Sequence, residues 1–460
     1  MRRGILPFRT LTIMALACMG GASALAAQEV PEGVRLSVTY QTAYRPKLAI
    51  RTFTGEGELA TVAQGIREII NRDLDYSDRF DIVTVPPSLD SGPVDYAPWR
   101  DLGVDLLVTA AVERIGGSSY LLRVTLHDVL YNRVSQIRAF EVPDPTADEY
   151  RMAVHAVSDE VVFWATGQPG YAASRVAFRR TTSDGAWEIM VVDSDGENLQ
   201  RVVYGPLHVL RSPAWSPDGR RLAYTAQDLE NGNTAIFERD LETGAVRVLV
   251  DRPGLNVTPS YSPDGRRLAF GMSRGNTESE LYDMDVVQRC CIRQLTQAPP
   301  RSAEMSPSYS PDGRQIVYMS DRLGQPHIYI MPADGGTPTA LTRYVPGQRV
   351  EYLTPEWSPT GSQVVFWSRG AGGSQILIAD ASRPGAVVEQ ITLEGTSSDP
   401  SWAPDGRHIV FSGTRGNQRG LFVIDMVTKR IRPLILGGNY ELPSWSPALQ
   451  SASALAAGVP

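Results

Sequence analysis

Five ten-residue segments repeat along the second half of the chain: WSPDGRRLAY at 215, YSPDGRRLAF at 261, YSPDGRQIVY at 309, WSPTGSQVVF at 357 and WAPDGRHIVF at 402. A sixth copy, WSPA at 445, is cut short. The prolines Pro217, Pro263, Pro311, Pro359, Pro404 and Pro447 are spaced 46, 48, 48, 45 and 43 residues apart. A period in the forties, with Gly and Asp turns between short β-rich runs, is the pattern of propeller blades.

Each repeat reads as four strands. The aromatic residue and those before it form the first. S-P-D-G then turns the chain: Pro presets φ, Asp suits the next position and Gly accepts positive φ. RRLAY or RQIVY alternates with the two-residue period of a second strand. Segments such as AIFERDLETG at 235 and HIYIMPADGG at 327 supply the third, and VRVLV at 246 and TALT at 339 the fourth. The ends of the array complement each other. RVAFRR at 175 has the second-strand pattern with no SPDG before it, whereas LPSWSP at 442 is a first strand with nothing after it. If the C-terminal strand joins the sheet begun at 175, six whole blades close into a ring and no edge is left open.

The first 27 residues are of another kind. Arg2, Arg3 and Arg9 precede a short apolar run, LTIMALACM, and small residues, ASALAA, follow at the cleavage positions. This segment is expected to be a secretory signal, cut near Ala26 or Ala27, that exports the chain. Its removal would take the formal charge from -7 to -10. An acidic chain without a lysine-rich run is a poor candidate for nucleic acid or anionic lipid, and no later run is long enough to insert in a membrane. Past the signal only Cys290 and Cys291 remain. Neighbours on a strand point to opposite faces, so they are expected to be two incidental residues rather than a disulfide, a redox pair or metal ligands.

The remainder divides into an N-terminal α/β domain (28–166), a linker (167–174), the propeller (175–450) and a tail (451–460). VRLSVTY (34–40), LAIRTF (48–53), FDIVTV (80–85), DLLVTAAV (105–112), YLLRVTL (120–126) and 133–142 read as strands. Leu59, Val62, Ala63, Ile66, Ile69, Ile70 and Leu74 keep helical spacing. A second helix is expected to open at Thr146 with the capping box T-A-D-E and to end at Gly167.

Catalytic signatures are weak. GMSRG at 271 matches G-x-S-x-G, but that motif requires a strand-to-helix turn and here it ends a blade strand. His127, His155, His208, His327 and His408 lie far apart with no metal spacing, and His155 is expected to be a packed helical residue. DSDGEN at 193 is explained by a turn. No cofactor or metal is expected, and the balance favours binding over catalysis. A propeller hydrolase and a ligand-binding propeller remain as alternatives.

The whole arrangement resembles the TolB family of Tol-Pal envelope components. KLAIRTF, YAPWRDLGVDLLVTAAV (96–112) and AVHAVSDEVVFWATGQPG, followed by the blades, carry the resemblance across nearly the whole mature chain. WSPT and WSPA, which lack the Asp, depart from the repeat. The resemblance implies a non-catalytic periplasmic adaptor that links inner-membrane TolA to the outer-membrane lipoprotein Pal and supports outer-membrane integrity and constriction in cell division. The chain would act as a monomer, with other outer-membrane proteins as further partners.

In the family the N-terminal end engages TolA, which maps here to Val34, Arg35, Leu36, Ser37, Val38 and Thr39. An extended segment of this kind can pair with its own domain or add to a partner's sheet edge, giving two states. The resemblance places Pal at one mouth of the channel, at Leu255, Asn256, Thr258, Glu304, Met305, Ser306, Glu351, Tyr352 and Thr354, with Leu255, Thr258 and Met305 best placed. Asn439, Tyr440 and Glu441 occupy the corresponding loop near the C-terminus.

Overall fold

The computed structural model describes residues 34–36 (as backbone), 44–116, 119–273 and 278–449. The expected signal segment, the C-terminal tail and Ser37, Val38 and Thr39 lie outside the described residues.

The N-terminal domain is a five-stranded sheet in the order Asp81–Val83, Lys47–Ile50, Leu106–Arg114, Ser119–Asp128, Arg133–Pro143. The first two pairings are parallel and the last two antiparallel. Helices α1 (Leu59–Tyr76) and α3 (Tyr150–Thr166) cover one face, with a short α2 (Tyr96–Asp101) between them in sequence. The apolar stripe of α1 explains its position: Ala63, Ile66, Ile70 and Leu74 are completely buried against Leu122, Val124 and Leu126 of the sheet.

Two local expectations change. The helix after Pro145 starts at Tyr150 rather than Thr146. Thr146 instead bonds to Asp144 through its amide at 3.0 Å and its hydroxyl at 2.7 Å. That turn satisfies the threonine locally, so it does not cap a helix. At the other end Gly167, with φ of 68°, terminates α3 as expected. Sequence reading also missed α2, whose N-terminus Asp95 caps by accepting from the Ala97 amide at 3.1 Å.

Six blades of four antiparallel strands follow, and a fifth strand, Val34–Leu36, joins the sheet of blade 5. Blade 1 comprises Arg175–Thr181, Trp187–Asp193, Gln200–Gly205 and, as its innermost strand, Asn439–Trp445. The inner strands of blades 2 to 6 are His208–Trp215, Asn256–Tyr261, Glu304–Tyr309, Glu351–Trp357 and Thr396–Trp402. In blade 4 the outer strand shrinks to Thr339–Ala340.

The recurring aromatic of the second strand builds the core. Phe178, Phe270, Tyr318, Phe366 and Phe411 are fully buried and Tyr224 nearly so, one per blade. Several stack on an aromatic of the third strand, as Phe411 does on Phe422 at 6.0 Å between centroids. The SPDG turns are cross-linked internally. Ser262 donates to Asp264 at 2.6 Å and accepts from the Arg267 amide, while Gly265 takes φ of 69°. Ser310, Asp312 and Gln315 repeat the pattern in the next blade. Blades are also fastened to one another through equivalent inner-strand positions. Ser308, Glu356 and Ser401 accept the backbone N–H of Trp357, Trp402 and Trp445 in the following blade, at 2.9 to 3.0 Å.

Cys290 and Cys291 depart from expectation: they form a disulfide on the outer strand of blade 3. The extended geometry that argued against the bond is broken there. Cys291 adopts φ of 61° at an irregularity in the pairing, so the two side chains no longer diverge.

Candidate functional site: the channel mouth and the N-terminal strand

The inner strands surround a central channel in which a short motif, longer than SPDG alone, recurs. Each strand reads x-Pro-x-aromatic before its turn, with Pro213, Pro259, Pro307, Pro355, Pro400 and Pro443 all lining a cavity of about 300 Å3. The residue before each proline has positive φ: Ser212 (48°), Thr258 (52°), Ser306 (55°), Thr354 (41°), Asp399 (51°) and Leu442 (53°). A residue preceding Pro is pushed out of the right-handed helical region, and here a β-bulge accompanies it in every inner strand. The bulges turn hydroxyl and carboxyl groups towards the channel. Thr258 Oγ1 accepts the Ser306 amide at 2.9 Å, linking two neighbouring bulges.

Two acids lie in this wall. Burial pushes the Glu356 carboxyl up to about 7, with the Trp402 amide and Ser401 opposing. Burial likewise raises Asp399 to about 6 against the pull of its bond from Ser398.

The residues assigned to the mouth separate into three groups. Leu255 is exposed. Thr258, Ser306 and Thr354 line the channel, while Met305 is half-buried against the apolar core shared by blades 4 and 5. Asn256, Glu304 and Tyr352 are buried. Asn256 holds its loop by donating to the Thr234 and Arg252 carbonyls, both at 2.6 Å. Glu304 is paired with Arg322 and accepts from Ser320. Tyr352 packs edge-on against Phe366 and His327. These three shape the rim from beneath and offer no surface of their own. Glu351 is half-buried and bound by Arg369 at 2.8 Å. In the corresponding loop Glu441 pairs with Arg179 and Arg419, and Tyr440 is buried against Phe178.

Sequence reading missed most of the exposed rim. Leu207, Leu255, Tyr344 and Leu393 stand in loops that enter an inner strand, and Leu229 and Leu323 in loops between second and third strands. In an up-and-down blade both loop types lie at the same end, opposite the SPDG turns. Leu229 and Leu207 are tied directly, amide to carbonyl, at 3.1 Å. Exposed leucines recurring at loop tips were the available signal.

The N-terminal domain sits at the opposite, SPDG end, over blades 1 and 6. Arg430 bonds Asp75 and Asp78, Arg407 donates to the Asp78 carbonyl, and Tyr171 donates to the Tyr76 carbonyl at 2.7 Å. Val34–Leu36 pairs in parallel with Val388–Gln390, the outer strand of blade 5. A pairing with its own domain was one expected option; the strand is held instead by the outer edge of blade 5. The hydrolase signature has no support in the geometry: Ser273 is buried and accepts the Leu255 amide at 2.9 Å.

Comparison with known families matches residues 164–449 to the TolB beta propeller domain and residues 34–134 to the TolB amino-terminal domain. The chain belongs to the TolB family. "Tol-Pal system protein TolB" of Albidiferax ferrireducens is 31% identical over 211 residues, covering 45% of this chain and 47% of that protein. The protein of the same description from Anaeromyxobacter sp. strain K is 33% identical over 227 residues, covering 47% and 50%. The chain thus spans about half the length of the curated relatives it matches. Over a longer span it is similar to the crystal structure of TolB from Acinetobacter baumannii, with 26% identity, a TM-score of 0.73, and 88% of this chain and 97% of that one covered. Among the described residues no helix is long and apolar enough to cross a membrane.

Proposed function

We propose that this TolB-family chain is a non-catalytic periplasmic adaptor, exported by its N-terminal signal, that joins TolA to the lipoprotein Pal for outer-membrane integrity and division. The observation that carries the reading is the ring of exposed apolar side chains, Leu207, Leu229, Leu255, Leu323, Tyr344 and Leu393, around one channel mouth. Apolar side chains over a polar, hydroxyl-lined recess fit a protein interface better than a solvated surface. Pal docks at this end.

Residues 34–39 engage TolA. The pairing of Val34–Leu36 with the edge of blade 5 uses backbone groups that strand addition to a partner would also need. The segment is therefore either held on the propeller or available to TolA. The test is capture from purified components. The chain from residue 28 onward binds both Pal and the C-terminal domain of TolA; removal of 28–39 leaves Pal binding intact and abolishes TolA binding. Retained TolA binding by the shortened chain refutes the assignment of the segment, and absence of Pal binding by the full chain refutes the adaptor reading itself.

A further inference from the structure

Blade 6 breaks the repeat at two positions, and both changes meet at the domain interface. Its turn reads W-A-P-D-G-R-H, with Ala403 where blades 2 to 5 carry serine and His408 where they carry Arg or Gln. In the other SPDG turns the serine hydroxyl donates to the aspartate. With Ala403 there is no such donor, and Asp405 instead accepts from His408 Nδ1 at 2.7 Å. The other ring nitrogen, Nε2, is fully buried without a hydrogen-bond partner. It lies 3.5 Å from Asp78 Oδ2 of the N-terminal domain and 3.9 Å from Asp425 Oδ1.

A second buried histidine has the same surroundings on the other side of the joint. His155 of α3 places Nδ1 2.8 Å from Asp73 of α1, and its Nε2 is again buried and unpartnered. The third member is Asp195 from the propeller, in the turn after Trp187–Asp193.

Charge decides what these clusters hold. Facing His408 are the carboxylates of Asp75 and Asp78 from the end of α1, and of Asp405 and Asp425 from blade 6. The cations are Arg79 from the N-terminal domain and Arg407 and Arg430 from blade 6. Arg432 lies over the Tyr76 ring and donates to Tyr171, whose own ring packs 4.4 Å from that of His408. Facing His155 are Asp73, Asp193, Asp195 and Glu197, against Arg72, Arg151 and Arg175. Asp159, the remaining acid near His155, is pushed up to about 7 by burial, so it is only partly ionised at neutral pH. Each ring is thus met by carboxylates from both sides of the joint: Asp78 opposite Asp405 and Asp425 at His408, and Asp73 opposite Asp195 at His155.

A divalent cation fits less well. Arg407 already grips both oxygens of Asp425, at 2.5 and 2.8 Å, and Arg151 and Arg72 occupy Asp195. A proton on the ring satisfies Nε2 electrostatically without displacing those bonds.

We propose that His155 and His408 are imidazolium ions that act as two proton-dependent latches, fastening the N-terminal domain to blades 1 and 6 and releasing it when they are deprotonated. Burial alone lowers a histidine pKa, yet in both rings the neighbouring aspartates outweigh it and the net direction is upward. His127 and His327 provide the contrast. They bond hydroxyls (Tyr96 and Thr109; Thr342) rather than carboxylates, and burial lowers both.

The sign of the pH dependence follows. A histidine raised by folding contributes in full below its ordinary value of 6.5 and loses that contribution as pH climbs through the folded value. Asp195, Asp405 and Asp425 are lowered: burial raises each, but the adjoining histidine and arginine bonds outweigh it. Their contribution is present above the ordinary carboxylate range and lost in acid. The joint is therefore closed between the lowered carboxylate range and the raised histidine range, and opens on the alkaline side of the latter.

The test uses the full chain from residue 28 with 15N-labelled histidine. At pH 7 the ring nitrogens of His155 and His408, assigned by single His→Gln substitutions, should both carry protons, while His127 and His327 titrate as neutral rings. Small-angle scattering should show the maximum dimension increasing as pH rises past the point at which those two rings deprotonate. The His155→Gln, His408→Gln double variant should show the extended form already at pH 7, with propeller near-UV dichroism retained and no further change up to pH 10. If the double variant fails to fold, the wild-type titration and scattering still decide. Neutral rings at pH 7, a joint unchanged through ring deprotonation, or a stoichiometric divalent ion lost with His408→Gln would each overturn the proposal.

Discussion

Trp445 donates its indole N–H to Ser174 Oγ at 2.8 Å, across 271 residues of sequence. The same residue lies edge-on to Tyr171, 5.4 Å between centroids, so the last inner strand and the linker into the first blade are packed as one unit. Trp445→Ala removes a buried aromatic and its bond together and should cost about 3–5 kcal/mol, measured as a drop in denaturation midpoint. Ending the chain at residue 438 should have a larger consequence. The Arg175–Thr181 edge would lose its partner and self-associate, which light scattering would detect. A truncated chain that remained monomeric with an unchanged midpoint would contradict closure through this strand.

The docking rim can be separated from the residues beneath it. Leu255 and Leu323 are exposed, whereas Asn256 and Glu304 are buried and hydrogen-bonded. Leu255→Asp or Leu323→Asp should leave stability within about 0.5 kcal/mol yet weaken Pal capture by roughly tenfold or more. Asn256→Ala should do the reverse, lowering stability by about 1–3 kcal/mol because the loop carbonyls it serves lose their donor. Calorimetric titration with Pal alongside thermal melts distinguishes the two classes. Equal Pal affinity in both leucine variants would remove the rim from the interface.

Much of this architecture was legible before any coordinates. The period and the truncated WSPA predicted six blades and the strand that completes the first, because each repeat carries its own turn chemistry. The α1 stripe was legible for the same reason, since burial follows directly from spacing. What could not be read were features that depend on neighbours distant in sequence. Thr146 matched a capping box, but Asp144 competed for it. Asn256, Glu304 and Tyr352 stand at the start of inner strands, close to the same rim as Leu255, yet partners elsewhere in the blades draw them inwards. His408 differed from the repeat in plain view; its meaning needed Asp78, 330 residues earlier in the numbering, to be placed beside it. The x-Pro-x-aromatic extension was visible as Ser-Pro, Thr-Pro and Asp-Pro pairs, but nothing local reveals that the residue before each proline has positive φ.

Leu442 tests that backbone. Its counterparts are Ser, Thr and Asp, and it alone places a branched aliphatic at positive φ, 53°. An L residue held there is disfavoured by about 1–2 kcal/mol, and Asn visits the region more readily than most. Leu442→Asn should therefore hold or raise stability, by up to about 1 kcal/mol. Leu442→Ile keeps the volume but adds a β-branch and should lose about 1 kcal/mol or more. Urea denaturation of the pair resolves the order; Ile more stable than Asn would mean that packing outweighs backbone conformation at this position.

Glu356 stands where blades 1, 3, 4 and 6 place a serine, and it performs the task of Ser308 and Ser401 by accepting the Trp402 amide at 3.0 Å. Burial lifts its carboxyl from 4.5 to about 7. A carboxyl raised by folding stabilises fully below its ordinary value, and that contribution falls away as pH climbs through the folded value. Glu356→Gln keeps an oxygen to accept from Trp402 but cannot ionise. The variant should match the wild type at pH 5 and exceed it at pH 8, by roughly 1–3 kcal/mol once access of water to the channel is allowed for. The comparison needs denaturation curves at both values. A difference that stays constant with pH would show that the carboxyl is already ionised in the wall, and a variant less stable at pH 8 would show that its charge is stabilising there.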